Sequence, residues 1–206
     1  MSDVATLATV AGAFWVVAAS PGPANLSNAA IAMRYGRRAS LIYGLGLSTA
    51  LVFWGLLAAT GMGAVLQASG TALVVMKVMG GLYLLYLAWQ TGRAAVQPKT
   101  RAAQDIAAGR WFWRGVLLNM SNPKSVLAWM TALSMGLDPT DTTGAVVLAT
   151  SVCVIVAFAN NFSYSMVFSL SGMMAAYRRF AAWIDGISAA LFAMAGVALI
   201  RSAFSR

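Results

Sequence analysis

The sequence predicts an all-α polytopic membrane protein. The expected fold has six transmembrane helices as two inverted three-helix repeats, with helices one and four broken near the midplane. Three observations predict it. The chain of 206 residues is 60% hydrophobic and only 9% charged, with a mean hydropathy of +0.76; a soluble domain carries about 25% charged residues. Apolar runs recur along its whole length, and runs such as Ala145 to Ala159 do not alternate as the strands of an outer-membrane barrel would. Two helix-breaking tripeptides, Pro21-Gly22-Pro23 and Asn122-Pro123-Lys124, lie inside the first and fourth of those runs.

Taken in order, the spans are expected at about Ala5 to Met33, Ser40 to Leu66, Ala72 to Thr91, Trp111 to Met135, Thr142 to Met174 and Ala181 to Phe204. The first and fifth exceed the roughly 20 residues that cross a bilayer, so interruption or tilt is expected there. Val4 to Ala19 ends in small residues like a signal peptide, but Asp3 replaces a basic leader and the segment reads as an uncleaved first span. Basic residues cluster on one side. Arg34, Arg37 and Arg38 follow span one; Arg93, Lys99, Arg101, Arg110 and Arg114 surround the link between spans three and four; Arg178 and Arg179 follow span five. The opposite loops are neutral or carry Asp138 and Asp141. The basic loops are therefore placed in the cytoplasm and both termini outside, with Arg201 and Arg206 dissenting mildly. Repeats are expected over about residues 1–96 and 110–206, joined by a polar cytoplasmic linker at 97–109. Three spans per half is an odd number, so the repeat must be inverted.

The net charge of +9 is explained by these flanking residues, and there is no basic and aromatic platform for nucleic acid. Cys153 is the single cysteine and histidine is absent, which removes a disulfide, a redox pair and the commonest metal ligand. No cofactor or metal site is expected.

Four spans place their most polar residues near one depth: Ser20-Pro21, Ser48-Thr49, Asn122-Pro123-Lys124 and Asn160-Asn161. Polar residues serving only helix packing need no common level. Proline suits the first position of a helix, and glycine or asparagine the cap before it. Gly22-Pro23 and Asn122-Pro123 thus read as the starts of half-helices whose free N–H groups suit an anion such as a carboxylate. The alternative is a proline kink repaired by neighbours. Lys124 is a candidate counter-charge for a substrate carboxylate, or else a structural lysine. Asn25 and Asn28 follow Pro23 and either line the route or bond across helices. Asp185 is the one acid placed inside a span; it binds an ammonium or carries a coupling proton, or is a helix-start acid near Arg178 and Arg179. Lys77 reads as reaching the interface, and Tyr83, Tyr86 and Trp89 as belt and packing aromatics. Gly44, Gly80, Gly81 and Gly196 would permit close helix contacts, within the chain or in a homo-oligomer.

These residues resemble the amino-acid exporters of the lysine exporter superfamily, in the branch with homoserine and threonine efflux proteins. The similar stretches are SPGPANLSNAAIAMRYGRRASLIYGLGLS, MKVMGGLYLLYLAWQTGR, WRGVLLNMSNPKSVLAWMTALSMGL and WIDGISAALFAMAGVALI. The resemblance implies export of an amino acid or related metabolite through the bacterial inner membrane, using the proton motive force. It implies a small-molecule substrate and no enzymatic activity. Distant relatives of this fold export metal cations, which the lack of histidine and of intramembrane acids weakens. An intramembrane enzyme would have to rest on Ser20 or Ser121 with Lys124. A scaffold without its own pathway would not need central polarity.

The charge asymmetry is tested by cysteine placement in a Cys153→Ala background. A thiol replacing Gln104 reacts with an impermeant reagent only from the cytoplasmic side, and one replacing Thr140 only from outside. Labelling of position 104 in intact cells reverses the assignment.

Overall fold

The computed structural model describes residues 4–68, 70–96, 109–136 and 141–204. Most of the expected linker, with Lys99, Arg101 and Gln104, lies outside the described residues, as do Asp138, Thr140 and Arg206. Among the described residues the chain is helical without a strand: α1 (Val4–Ala19), α2 (Pro23–Ala68), α3 (Gly70–Val96), α4 (Trp111–Met120), α5 (Pro123–Gly136), α6 (Thr143–Val167) and α7 (Met173–Phe204). Pro23–Gly61, Thr143–Val167 and Ala175–Phe204 are each long and apolar enough to cross a membrane. Exposed large side chains such as Leu56, Ile155, Trp183 and Met194 then face lipid, where apolar surface carries no penalty.

Both expected interruptions are present. The first expected span is not one helix: α1 stops at Ala19 and α2 begins at Pro23, and α4 stops at Met120 with α5 beginning at Pro123. Spans one and two are not separated by a loop. α2 runs through both, interrupted only at Gly36, whose φ of 81° and ψ of 173° belong to glycine alone. α6 ends at Val167 rather than near Met174, because Phe168 caps it with its ring stacked on Tyr164 at 5.4 Å. Its start is fixed by Thr142, whose hydroxyl accepts from the Ala145 amide at 3.3 Å. After Gly172, at φ 81°, α7 starts at Met173 instead of Ala181. α3 likewise continues past Thr91 to Val96.

Small residues set the helix crossings. Gly81 of α3 and Gly196 of α7 meet reciprocally: a Cβ on either would lie 2.9 Å from the other's carbonyl oxygen. Gly46 of α2 and Gly115 of α4 are pressed together as tightly, a Cβ on the first overlapping the Phe112 carbonyl and on the second the Tyr43 carbonyl. α1 packs on α5 through Phe14 and Trp129, ring centroids 4.7 Å apart. These rings belong to the main apolar cluster, with Val10, Val17, Leu51, Leu133 and Phe192. A smaller cluster of Ile31, Ala39, Tyr43 and Leu47 lies around the turn at Gly36.

The Gly46–Gly115 crossing makes a prediction. Gly115→Ala forces α2 and α4 apart and costs about 1–3 kcal/mol, whereas Gly12→Ala, with nothing within 4 Å of its Cβ, is neutral. Thermal unfolding of the purified proteins in detergent checks the difference.

Candidate functional site

A helix that stops inside an apolar solvent must find partners for its last carbonyls. At the end of α1 side chains supply them all. The Ser20 hydroxyl donates to the Val17 carbonyl at 2.8 Å. Asn25 donates to Ala18 at 2.6 Å and to Ser20 at 3.0 Å. Tyr164 donates to Ala19 at 2.9 Å. The Lys124 ammonium donates to the Ser20 carbonyl at 2.8 Å and to its hydroxyl at 2.5 Å. Asn160 completes the set, donating to Ala18 at 3.4 Å and to the Asn25 side-chain oxygen at 3.3 Å.

The second break is built differently. Asn122 is the cap of α5, its side-chain oxygen accepting from the Lys124 amide at 3.1 Å, and Pro123 fills the first helical position, where no N–H is needed. Behind it sits Asn119, 2% exposed. Its oxygen accepts from Ser125 at 2.6 Å and from Asn122 at 3.3 Å, and its amide donates to the Leu47 carbonyl of α2 at 2.8 Å. Lys124 therefore joins the two breaks: its backbone belongs to the start of α5 and its ammonium closes the end of α1. Gly22 makes room, since a Cβ there would sit 3.2 Å from the Lys124 nitrogen.

Between the breaks lies a cavity of about 40 Å³. Gly22, Asn25, Asn122, Lys124, Asn160 and Asn161 line it, all of them expected site residues. Asn119 and Ser125 line it too and were not anticipated, although Asn119 sits in the apolar run three residues before Asn122. Phe14, Val17 and Leu51 form the apolar wall. Ser20 reaches the site through Lys124, and Ser48 through Asn161, whose amide donates to its hydroxyl at 2.9 Å. Pro21, Pro23 and Pro123 shape the breaks. Thr49 is exposed and bonds the Leu45 carbonyl of its own helix. Asp185, 3% exposed, sits on α7 and is not part of the lining.

Discontinuous helices meeting around a cavity that holds polar side chains in a membrane bundle are the architecture of a solute transporter. The chain belongs to the family described as LysE type translocator, which matches residues 15–203. It is thus a membrane transporter and not an enzyme. It is 29% identical over 202 residues to a threonine efflux protein of Salmonella typhi, covering 94% of this chain and 97% of the relative. It is 29% identical over 168 residues to a homoserine/homoserine lactone efflux protein of Salmonella typhimurium, covering 81% and 78%. An uncharacterized membrane protein of Haemophilus influenzae is 25% identical over 187 residues, covering 88% and 89%. No solved structure matches.

Asn122 and Asn119 differ in what they hold, and their variants differ accordingly. Asn122→Ala removes a helix cap and costs about 1 kcal/mol. Asn119→Ala strips partners from several buried groups and costs about 2–3 kcal/mol. Equal losses of thermal stability would refute the hub role of Asn119.

Proposed function

We propose that this protein is a secondary exporter of an amino acid from the bacterial cytoplasm, driven by the proton motive force. The observation that carries this reading is the cavity between the two broken helices. It presents both signs of partial charge within one small space. The C-terminal carbonyls of α1 are its negative side; the N-termini of α2 and α5, with the Lys124 ammonium, are its positive side. A zwitterion has the matching pair of groups. Its carboxylate takes the Lys124 ammonium and the half-helix amides, and its ammonium takes the carbonyls and asparagine oxygens that Lys124 and Asn25 now occupy. The remaining lining pairs neutral amides and a hydroxyl with the apolar wall of Phe14, Val17 and Leu51. That suits a small side chain with both an apolar part and a hydrogen-bonding group, in keeping with the threonine and homoserine named for the relatives.

The same reading places six spans in the inner membrane, as two inverted repeats of about residues 1–96 and 110–206, with both termini outside. The reciprocal Gly81–Gly196 crossing and the proline-started half-helices α2 and α5 support such a repeat. Asp185, buried in α7 and engaged by other groups, is the proposed coupling acid.

Lys124→Met tests the counter-charge directly. Initial efflux per membrane-inserted molecule falls by roughly tenfold or more, the loss expected for one charge-assisted hydrogen bond. Lys124→Arg recovers little, because a wide planar cation does not fit where Gly22 approaches the ammonium. An amino-acid amide is a poor substrate for the unaltered protein. Near-normal efflux in Lys124→Met removes the counter-charge role.

A further inference from the structure

The cavity is too small for an amino acid. About 40 Å³ holds a few waters, so the site must widen before it takes a solute next to Lys124. The two sides of the cavity differ sharply. Towards the start of α1 lies the main apolar cluster, where Phe14, Trp129, Leu51, Leu133 and Phe192 interlock. Towards Gly36 the seam between α2 and α6 is instead lined mostly by small and polar residues, beside a small apolar cluster of Ala29, Ala32 and Phe168.

That seam is continuous from cavity to surface. Asn161, in the cavity wall, donates to Ser48 at 2.9 Å. One turn further, the Asn161 carbonyl accepts from Ser165 at 3.0 Å and from Asn28 at 3.1 Å. The Ser40 hydroxyl donates to the Asn28 side-chain oxygen at 2.7 Å and lies 2.8 Å from the Ser165 hydroxyl. Next comes Ser169, which donates to the Ser165 carbonyl at 2.7 Å and accepts from exposed Arg37 at 3.3 Å. Asn28, Ser40 and Ser165 are each 0% exposed. Gly44, between Ser40 and Ser48, keeps α2 close: a Cβ there would touch Asn28, Ser165 and Asn161 at 3.4–3.5 Å.

We propose that this α2–α6 seam is the solute passage between the cavity and the Arg37 surface, collapsed in this conformation. The proposal rests on the export reading above and names the route to the same site. Parting the seam exchanges a handful of hydrogen bonds for bonds to water; the apolar contact it breaks is the small cluster of Ala29, Ala32 and Phe168 with Met33 and Tyr164 at its outer end. Parting the opposite side exposes interlocked aromatic and aliphatic side chains, which water cannot compensate. Once open, Asn28, Ser40, Ser48, Asn161 and Ser165 give the moving zwitterion polar walls in place of its hydration shell. The closed state satisfies those same groups mutually, as burial in a membrane bundle demands.

Two measurements test it, both in a Cys153→Ala background. The first pairs Ser40→Cys with Ser165→Cys across the seam, where the native hydroxyls are 2.8 Å apart. Oxidation to a disulfide stops amino-acid efflux, and reduction restores it. Efflux unchanged by the disulfide overturns the proposal. The second needs no substrate. A Ser48→Cys thiol at the inner end of the seam reacts with a small charged thiosulfonate in membranes open on both faces. Adding Asn28→Ala speeds that reaction roughly tenfold, as loss of the latch bonds raises the open population. If Asn28→Ala does not reach the membrane, Ser40→Ala removes the 2.7 Å and 2.8 Å contacts and serves the same test. An unchanged labelling rate overturns the passage. If no amino acid is exported at all, the export reading falls, and the labelling rates still decide the passage.

Discussion

The structure depends on how the end of α1 is satisfied. A helix stopping within lipid frees carbonyls that no water reaches, and each orphan there costs several kcal/mol. Four side chains from elsewhere answer it: Asn25 from α2, Lys124 from α5, and Asn160 and Tyr164 from α6. Three helices are thereby tied to one point. The shared depth of the polar residues follows from this, since each must reach the same few backbone atoms. The tie also bears on the proposed transport. The groups that close α1 are those that would hold a solute, so binding exchanges one set of hydrogen bonds for another. Each neutral bond contributes a net of about 1 kcal/mol and a charged one about 1.5–3. An exchange on that scale leaves the solute weakly held, which a carrier that must release its cargo requires.

The two faces of the site then have different material. α1, α5 and the first part of α6 meet through large apolar side chains and through Cys153, Ala157 and their neighbours. The indole nitrogen of Trp129 finds no hydrogen-bond partner among the described residues. Close packing dominates there even over a buried donor. On the other face Gly44, Ser40 and Ser48 bring α2 and α6 together through small polar contacts, with one small apolar cluster at Ala29, Ala32 and Phe168. The first face resists separation mainly by hydrophobic burial, the second mainly by bonds that water can replace.

Much of this was legible in the sequence because the breaks are encoded locally. Proline after glycine or asparagine writes a half-helix start whatever surrounds it, and both starts fall at the expected prolines. The clustering of Asn122, Lys124, Asn160 and Asn161 follows from shared depth, whereas depth says nothing of Asn25. What escaped depends on direction. These helices are apolar all round, so periodicity does not say which face turns inward. Thr49 and Ser48 are adjacent and look alike in sequence, yet one is exposed and the other buried against Asn161. The partner of Lys124 escaped for another reason. The half-helix starts drew attention to free N–H groups, while the ammonium serves the carbonyl end of α1. Gly36 is one glycine among 19, and only its backbone angles set it apart.

The choice of asparagine over aspartate around Lys124 has a physical consequence. A carboxylate at position 25 or 160 would compete with any incoming anion for the ammonium. Amides satisfy the α1 carbonyls through their N–H groups while their oxygens accept in turn, as Asn25 does from Asn160. They do so without neutralising Lys124. Among the contacts that close α1, that charge meets the partial negative charge of the helix terminus, roughly half an electron. In the proposed transport an incoming carboxylate takes the place of Ser20 at the ammonium. The amides and the single ammonium that let α1 end inside the membrane are thus the same groups that the proposed carboxylate site would use.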